Sequence, residues 1–359
     1  MMTTLRVIDS GVVEGRMNIA LGQAMIETHQ EGGVPDTLRF LRFPPTALIG
    51  RHQALNQEIA VEYCEVKNIA LVRRITGGGA IYLDEGQLGW ELVIDRSRLG
   101  KATLTDLARE ICEAAAGGLS RLGVPATYRP RNDIEVDGRK IGGTGGFFDG
   151  DTLFYQGTVL VDMNPEVMVS ALRVPKAKLE KRALDSATQR VVTLKELLVD
   201  RCPGLGEIQA ALVEGFCERF GLTASPADFE ASEIRLAKEL YRDEIGLDEF
   251  VTEIDEPEAA RGVLEGEHTG PGGTIRTYIR LEGPAQNRIN SALITGDFFV
   301  TPPRVIYDLE GALKGVFLDK VESTLDCFFN TVEIEVLSVG KGDFLESLQA
   351  ALSGRNTAL

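Results

Sequence analysis

The feature that most constrains this chain is a run of three glycines, Gly77–Gly79, directly after Arg73, Arg74 and an apolar stretch over residues 69–72. The apolar stretch is typical of a strand. Each glycine in a helix or strand costs backbone entropy, so the glycine run predicts a loop. Consecutive N–H groups without a Cβ can bind an anion, and arginine keeps its charge at physiological pH. The segment therefore indicates an anion-binding loop, and a plain hairpin beside two surface arginines is the alternative.

A second glycine-rich stretch follows a predicted hairpin. Residues 132–136 are strand-like and lead into Asp137-Gly138, a dipeptide typical of two-residue hairpin turns. The return strand carries Lys140 and continues into four glycines among residues 142–146, which predict a second anion-binding loop. In this register Glu135 and Lys140 lie opposite each other on the polar face. Lys140 is thus predicted at the edge of a glycine loop, and an exposed lysine without a role is the alternative.

Taken together, these stretches resemble the lipoate–protein ligase family of bacterial two-domain type, part of the biotin/lipoate ligase fold group. The matching motifs keep the family's order and spacing over nearly the whole chain. They are residues 18–21 (Asn-Ile-Ala-Leu), 49–53 (Ile-Gly-Arg-His-Gln), 73–80, 132–134, 138–143, 156–160 (Gln-Gly-Thr-Val-Leu), a basic segment over 173–194, and 294–299 (Ile-Thr-Gly-Asp-Phe-Phe). Three residues depart from the family pattern: Leu83 and Gln156 each replace a histidine, and Gly145 replaces an alanine.

The resemblance implies an ATP-dependent lipoate–protein ligase, with ATP and Mg²⁺ as cofactors and lipoate as the substrate. Such an enzyme converts lipoate to lipoyl-AMP, releases pyrophosphate, and transfers the lipoyl group to a lysine of an acceptor protein. Lys140 is implied to be catalytic, because the family's lysine bridges the carboxylate and α-phosphate oxygens. The implied ATP- or adenylate-binding residues are Arg74, Gly79, Ala80, Ile81, Tyr82, Asn132, Asp133, Lys140 and Thr158. The implied lipoate-binding residues are Arg74, Gly77, Gly78, Lys140 and Gly143.

Two further roles depend on the chemistry of single residues. Asp133 is the candidate Mg²⁺ ligand, because hard cations prefer carboxylate oxygens, and a solvated surface aspartate is the alternative. The lipoyl chain is apolar and needs a dry groove. Its candidate walls, each explained equally well by core packing, are Ile81, Trp90, Phe147 and Phe148.

Composition argues against several classes of function. The net charge of −16, from 38 basic and 54 acidic residues, disfavours binding to nucleic acid or to anionic membranes. The apolar runs are too short for a membrane span, and the N-terminus lacks an apolar signal core. Five scattered cysteines without a Cys-x-x-Cys pair favour a reducing cytoplasm over a zinc site. We therefore expect a cytoplasmic protein, and we expect it to be a monomer.

The periodicity of the chain predicts two domains. Helical spacing recurs over residues 17–26 and 104–122, and strand-like runs lie between and after them without a regular βαβ alternation. This pattern predicts an α+β (mixed α/β) catalytic domain over residues 1–250 with a mixed or antiparallel sheet. Residues 251–359 are predicted to form a small α+β accessory domain that carries no chemistry. The acidic and then Gly-rich stretch over residues 243–273 is the predicted linker and hinge.

The densest basic segment is the predicted contact with the acceptor protein. Its cations are Arg173, Lys176, Lys178, Lys181, Arg182 and Arg190. We expect a lid that covers the adenylate and meets an acidic lipoyl domain, and a solvated helix face is the alternative. The candidate acceptors are a 2-oxoacid dehydrogenase E2 subunit, the glycine-cleavage H protein and a sulfur-oxidation lipoate-binding protein.

Two other functions are alternatives to the ligase. An octanoyl or lipoyl transferase of the same fold would act through a cysteine close to the lysine hairpin, and this chain has no cysteine between residues 113 and 201. The second alternative is a non-catalytic lipoate-binding module, which the replacements at Leu83 and Gln156 suggest.

Overall fold

The computed structural model describes residues 3–100, 103–173, 189–254, 262–337 and 339–354. The strands of the N-terminal part are β1 (Thr3–Val12), β2 (Thr37–Arg42), β3 (Thr46–Ile49), β4 (Ala70–Arg73), β5 (Ile81–Leu83), β6 (Gln87–Asp95), β7 (Thr127–Arg129), β8 (Asp133–Val136), β9 (Arg139–Asp149), β10 (Thr152–Leu160) and β11 (Leu222–Pro226). An eight-stranded mixed sheet has the order β11-β1-β2-β6-β10-β9-β8-β7, and β4-β3-β5 form a second sheet. In the large sheet β1 is parallel to both of its neighbours, β11 and β2. Every other pair of neighbouring strands in this sheet is antiparallel.

Helices cover both faces of the large sheet and also pack against the second sheet. They are α1 (Gly15–Gln30), α2 (Leu55–Glu58), α3 (Val61–Val66), α4 (Leu104–Arg121), α5 (Pro165–Ala171), α6 (Leu194–Leu198), α7 (Leu205–Phe220), α8 (Ala231–Leu240) and α9 (Asp248–Val251). The main core packs α4 and α7 against one face. The other face buries Phe147 and Phe154 beneath α1. The predicted helices over 17–26 and 104–122 are confirmed; Thr103 begins α4 with a capping box, and Gly123 follows it with φ of 81°.

The C-terminal part is a smaller α+β unit with a core of its own. Its elements are β12 (Val263–Gly270), β13 (Gly273–Glu282), β14 (Arg288–Gly296), β15 (Val300–Thr301), α10 (Val305–Leu313), α11 (Val321–Thr331), β16 (Glu335–Val336) and α12 (Lys341–Ser353). β12, β13 and β14 form an antiparallel sheet, and Ile279, Phe298, Leu309 and Phe344 are buried between this sheet and the helices. The predicted α+β fold with a small C-terminal domain is confirmed. Within the described ranges, no helix is long and apolar enough to cross a membrane.

The predicted linker over residues 243–273 is wrong for most of its length. Residues 241–245 and 248–251 are helical, and Phe250 and Val251 are buried against the N-terminal part. Residues 255–261 of the predicted linker lie outside the described ranges. Most of the Gly-rich stretch forms β12, where alternate side chains face the C-terminal core. Tertiary packing therefore overrides the flexible composition of both stretches. The domain bounds of 1–250 and 251–359 stay a prediction.

Candidate active site

A cavity of about 270 Å³ opens where β5, β6, β9 and β10 meet the glycine loop, residues 74–80. Both polar groups and apolar side chains line it. It brings together most of the residues predicted for the site: Arg74, Gly77, Gly79, Ala80, Ile81, Tyr82, Asn132, Lys140, Gly143 and Thr158. Two predicted residues do not line the cavity. Asp133 contacts Lys140, and Gly78 faces Phe299 of the C-terminal domain.

The conformation of the glycine loop is held by Arg74. Its guanidinium donates hydrogen bonds to the carbonyl oxygens of Leu48 (3.3 Å), Gly77 (3.0 Å) and Gly79 (2.9 Å). Burial lowers the pKa of Arg74 to about 10, so the group keeps its charge at neutral pH. Arg74 therefore lies below the loop as a fixed cation that also borders the cavity.

Arg73 is a structural residue. Its side chain is fully buried and donates to the carbonyl oxygens of Phe250 (2.9 Å) and Val251 (2.8 Å), and to those of residues 50, 51 and 53. It thereby joins the end of β4 to α9. The alternative of a hairpin beside two surface arginines is wrong, because both side chains are buried and donate to backbone carbonyl oxygens.

Lys140 lines the cavity and makes an ion pair. Its Nζ is 2.7 Å from Oδ1 of Asp133, and Oδ2 of Asp133 accepts a hydrogen bond from Nη2 of Arg129. Burial favours a higher pKa for Asp133, but the two cations outweigh it and lower the pKa below its usual value. The carboxylate is already neutralised by two cations, so its surroundings do not fit a resident Mg²⁺. No cluster of three or more candidate metal ligands occurs among the described residues.

The Asp137-Gly138 hairpin is confirmed, with φ of 49° and 77° at the turn and with Glu135 opposite Lys140. The prediction of a second anion-binding loop is wrong, because residues 142–146 belong to β9. These glycines allow neighbouring groups to approach the backbone of β9 closely. A Cβ on Gly142 would overlap the carbonyl oxygen of Thr158, and one on Gly143 would lie 2.6 Å from Nζ of Lys140.

Polar side chains connect the loop to β10. Nε2 of Gln156 donates to Oγ1 of Thr76 (2.8 Å), so the residue that replaces a family histidine helps to hold the glycine loop. Thr144 donates its N–H to the carbonyl oxygen of Asn132 (2.8 Å). Leu83, the other replacement, is buried and lines the cavity.

The apolar side chains of the lining are only partly those predicted. Ile81 and Trp90 line the cavity, but Phe147 and Phe148 do not. Phe147 packs under α1, and Phe148 lies in the main core, because both come after the segment of β9 that borders the cavity. The apolar side chains that the sequence analysis missed are Ile19, Leu41, Phe43, Leu48, Leu160, Met163, Met168, Leu172, Val191 and Phe299.

A buried carboxylate, Glu91, borders the cavity as well. Its Oε2 accepts a hydrogen bond from Nη1 of Arg39 (3.0 Å), and burial raises the pKa of Glu91 despite this cation. Glu91 follows Trp90 and is the one charged residue among residues 88–94 of β6. A single charged residue in such an apolar run was the sequence signal for it.

The cavity is not lined by a cysteine within the described residues. Cys112 lies behind the wall, with Sγ 3.3 Å from Oγ1 of Thr144. It is fully buried, and desolvation raises the pKa of its thiol to about 11. Since the thiolate is the nucleophilic form, this environment opposes attack by Cys112.

The basic segment falls largely outside the described part of the chain. Lys176, Lys178, Lys181 and Arg182 belong to the range that is not described. Arg173 and Arg190, at its two ends, are exposed. Their neighbours Leu172 and Val191 both line the cavity.

The catalytic-domain model for lipoyl protein ligases A and B matches residues 14–217, more than half of the chain and all of the cavity residues that precede the C-terminal domain. The chain belongs to this family. The predicted family is thereby confirmed, and the protein is an enzyme of the lipoate ligase and octanoyltransferase group.

Octanoyltransferases and lipoate–protein ligases of the family are both similar to this chain. Octanoyltransferase LipM of Kyrpidia tusciae is 28% identical over 264 residues, which are 67% of this chain and 95% of the relative. Lipoate–protein ligase LplJ of Bacillus subtilis is 36% identical over 157 residues, which are 44% of this chain and 46% of the relative.

Solved structures of the family share the fold. A lipoate–protein ligase A bound with ATP has a TM-score of 0.60 at 25% identity, covering 70% of this chain and 99% of that one. A bipartite ligase from Thermoplasma acidophilum, solved in a study of that ligase and its E2 lipoyl domain, has a TM-score of 0.63 at 24% identity, covering 72% and 100%. Plasmodium falciparum LipL1 in complex with lipoate has a TM-score of 0.73 at 16% identity, covering 96% and 99%.

Proposed function

We propose that this protein is an ATP-dependent lipoate–protein ligase that forms lipoyl-AMP and transfers the lipoyl group to a lysine of an acceptor protein. The observation that carries the proposal is the composition of the cavity. Lys140, the glycine loop and a set of apolar side chains line it together, and no described cysteine borders it. A ligase needs these lining groups and does not need a cysteine.

The chemistry explains why these groups belong together. Activation of a carboxylate by ATP brings two anions into contact, so the site must place positive charge and N–H donors where negative charge develops. The ammonium of Lys140 is a compact cation with three donors. The glycine loop supplies backbone N–H groups beside the buried charge of Arg74. We assign binding of the ATP phosphates to Gly79–Tyr82 and Arg74, and contacts with the adenylate also to Asn132 and Thr158. We assign binding of the acyl chain to the apolar side chains that line the cavity.

Lys140 serves both half-reactions in this proposal. In the first, its ammonium bridges the lipoate carboxylate and the α-phosphate while pyrophosphate leaves. In the second, the acceptor amine attacks the mixed anhydride, and the same ammonium stabilises the negative charge that develops on the acyl oxygen. Asp133 orients the ammonium through the 2.7 Å ion pair. Mg²⁺ would in this scheme enter with the nucleotide phosphates.

An octanoyltransferase is the second candidate, favoured by the similarity to LipM over 67% of this chain. That reaction needs a nucleophilic cysteine beside the lysine hairpin. No cysteine occurs anywhere between residues 113 and 201, so the range that is not described cannot supply one either. Cys112 is buried with a raised thiol pKa.

The acceptor in this proposal is a small lipoyl domain. A solved relative comes from a lipoylation system with an E2 lipoyl domain, which supports an acceptor of this kind. The E2 subunits, the glycine-cleavage H protein and a sulfur-oxidation lipoate-binding protein are the candidates. All five cysteines are free thiols, which favours a reducing compartment, and we place the reaction in the cytoplasm with the enzyme as a monomer.

One experiment separates the candidates. The protein is mixed with ATP, Mg²⁺ and lipoate, and pyrophosphate release is measured with and without lipoate. Lipoate-dependent release supports the ligase. Transfer from an octanoyl-carrier protein without ATP would identify a transferase, and binding of lipoate without either reaction would identify a binding module.

A further inference from the structure

We propose that Phe299, supplied by the C-terminal domain, is a specificity-determining residue of the acyl cavity that selects unbranched acyl chains, and that Gly78 and Gly145 receive its ring. The inference rests on the proposed function for the identity of the acyl substrate. It gives the accessory domain, which was expected to carry no chemistry, a direct part in the site.

The ring of Phe299 lies between the glycine loop and β9. A Cβ built on Gly145 would come closer than 3.0 Å to the Cε1 atom of this ring, and a Cβ on Gly78 would come equally close to its Cζ atom. Real Cβ contacts are not this short, so any side chain at either position would collide with the ring. The replacement of the family alanine by Gly145 thereby has a physical reason in this chain.

The ring also faces the reacting end of the cavity. Successive side chains of a strand point to opposite faces, so Gly143 and Gly145 share one face of β9, roughly 7 Å apart. A Cβ on Gly143 would point at Nζ of Lys140. Phe299 therefore lies along the same face as the ammonium, two residues farther along the strand. An acyl chain whose carboxylate meets Lys140 passes this ring with its first carbons.

Backbone contacts fix the ring in place. The N–H of Gly78 donates to the carbonyl oxygen of Phe298 (3.0 Å), and the N–H of Gly296 donates to that of His52 (2.9 Å). The rings of Phe298 and His52 are stacked, 5.2 Å apart with an interplanar angle of 15°. The segment that leads into Phe299 is thus held against the glycine loop, and its ring packs on Gly145 as part of the cavity wall. A wall fixed beside the first carbons of the acyl chain admits methylene groups and rejects a branch near the carboxylate.

The first test compares straight and branched acids. Pyrophosphate release is measured with octanoate and with 3-methyloctanoate, and the ratio of their kcat/KM values is taken for wild type and for Phe299→Ala. We expect the ratio to fall at least ~10-fold in Phe299→Ala, the size of effect that a lost apolar wall gives. Phe317→Ala is the matched control, because that phenylalanine of the same domain is 50% exposed, and its ratio should not change.

The second test is a double-mutant cycle between the two domains. Gly145→Ala should lower kcat/KM for lipoate at least ~10-fold in the wild-type background, since the new methyl group collides with the ring. In the Phe299→Ala background the same substitution should cost less than ~2-fold, because the methyl group no longer meets the ring, whereas independent sites would show the same cost in both backgrounds to within ~2-fold. Gly117→Ala, in an exposed position of α4 with open space around it, is the control.

The outcomes separate this inference from the proposed function. Trp90 is the sole tryptophan and lines the cavity, so its fluorescence reports lipoate binding without ATP. A wild-type protein that binds lipoate but releases no pyrophosphate overturns the ligase assignment. Suppose that the wild type is active. The role of Phe299 is overturned if Phe299→Ala leaves the octanoate to 3-methyloctanoate ratio of kcat/KM unchanged, or if the effects in the double-mutant cycle are additive. If Phe299→Ala does not fold, Phe299→Leu replaces it, with an intermediate ratio expected and an unchanged ratio again contradicting the inference.

Discussion

Replacement of Lys140 by alanine tests the proposed mechanism most directly. The ammonium is the side-chain cation placed where the carboxylate and the α-phosphate are proposed to meet, so the variant loses a charge-stabilising donor. Loss of one such donor costs ~2.7–4 kcal/mol of barrier, which is about a 100- to 1,000-fold decrease in rate. We expect this decrease for pyrophosphate release, and also for lipoyl transfer from supplied lipoyl-AMP, because the same group serves both steps.

The fold should survive this substitution. The side chain of Lys140 is 37% exposed, and its partner Asp133 keeps a second cation, Arg129, when the ammonium is removed. Partly exposed ion pairs contribute less than ~1 kcal/mol, so the melting temperature should change by no more than about 4 °C. A folded variant with a large kinetic defect would separate catalysis from stability.

Lys195→Ala is the matched control for Lys140→Ala. Lys195 makes an ion pair of the same length with Asp162, 2.7 Å, but it is 65% exposed and does not line the cavity. Pyrophosphate release is followed for both variants at saturating ATP and lipoate, with the circular dichroism melt recorded in parallel. A Lys140→Ala protein that is folded and releases pyrophosphate at close to the wild-type rate would refute the mechanism.

Three further outcomes are expected. Gly78→Val should abolish ATP binding, because φ at this position is 88° and a β-branched residue resists it; unchanged nucleotide affinity in a titration would reduce the loop to a plain turn. Reversal of Lys176, Lys178 and Lys181 to glutamate should slow lipoyl transfer to the acceptor more than adenylate formation, and equal slowing in the two single-step assays would restrict these lysines to nucleotide binding. A protein shortened to residues 1–253 should fold and transfer lipoyl from supplied lipoyl-AMP without making the adenylate, and ATP-dependent ligation by it would contradict the role given to the C-terminal domain.

Local patterns predicted the parts of the site that depend on neighbouring residues. The Asp137-Gly138 turn requires positive φ at both residues, and the glycine run requires a bare backbone, so both could be inferred from the sequence. The sequence also indicated Lys140 at the edge of the site, because hairpin register follows from the turn.

Distant contacts account for what the sequence did not predict. Arg73 was interpreted as a charge of the loop, but its partners Phe250 and Val251 lie some 180 residues away in the chain. The glycines of β9 predicted a loop, although they are there to admit other groups, among them Phe299 from the second domain. Local propensity cannot distinguish a glycine that bends the backbone from one that makes room for a neighbour.

The carbonyl contacts of Arg74 determine the direction of the loop's donors. A peptide unit is planar, so a carbonyl oxygen fixed toward the guanidinium turns the N–H of the following residue the opposite way. The carbonyl of Gly79 therefore orients the N–H of Ala80 away from the arginine, while the carbonyl of Gly77 turns the N–H of Gly78 toward its acceptor, the carbonyl oxygen of Phe298. An incoming anion finds the loop already ordered, and the ~1–2 kcal/mol of conformational entropy per residue has been lost during folding. Lysine at position 74 would keep the charge without the planar fork, leaving an equally cationic site whose loop lacks the fork's hold on the carbonyls of Gly77 and Gly79.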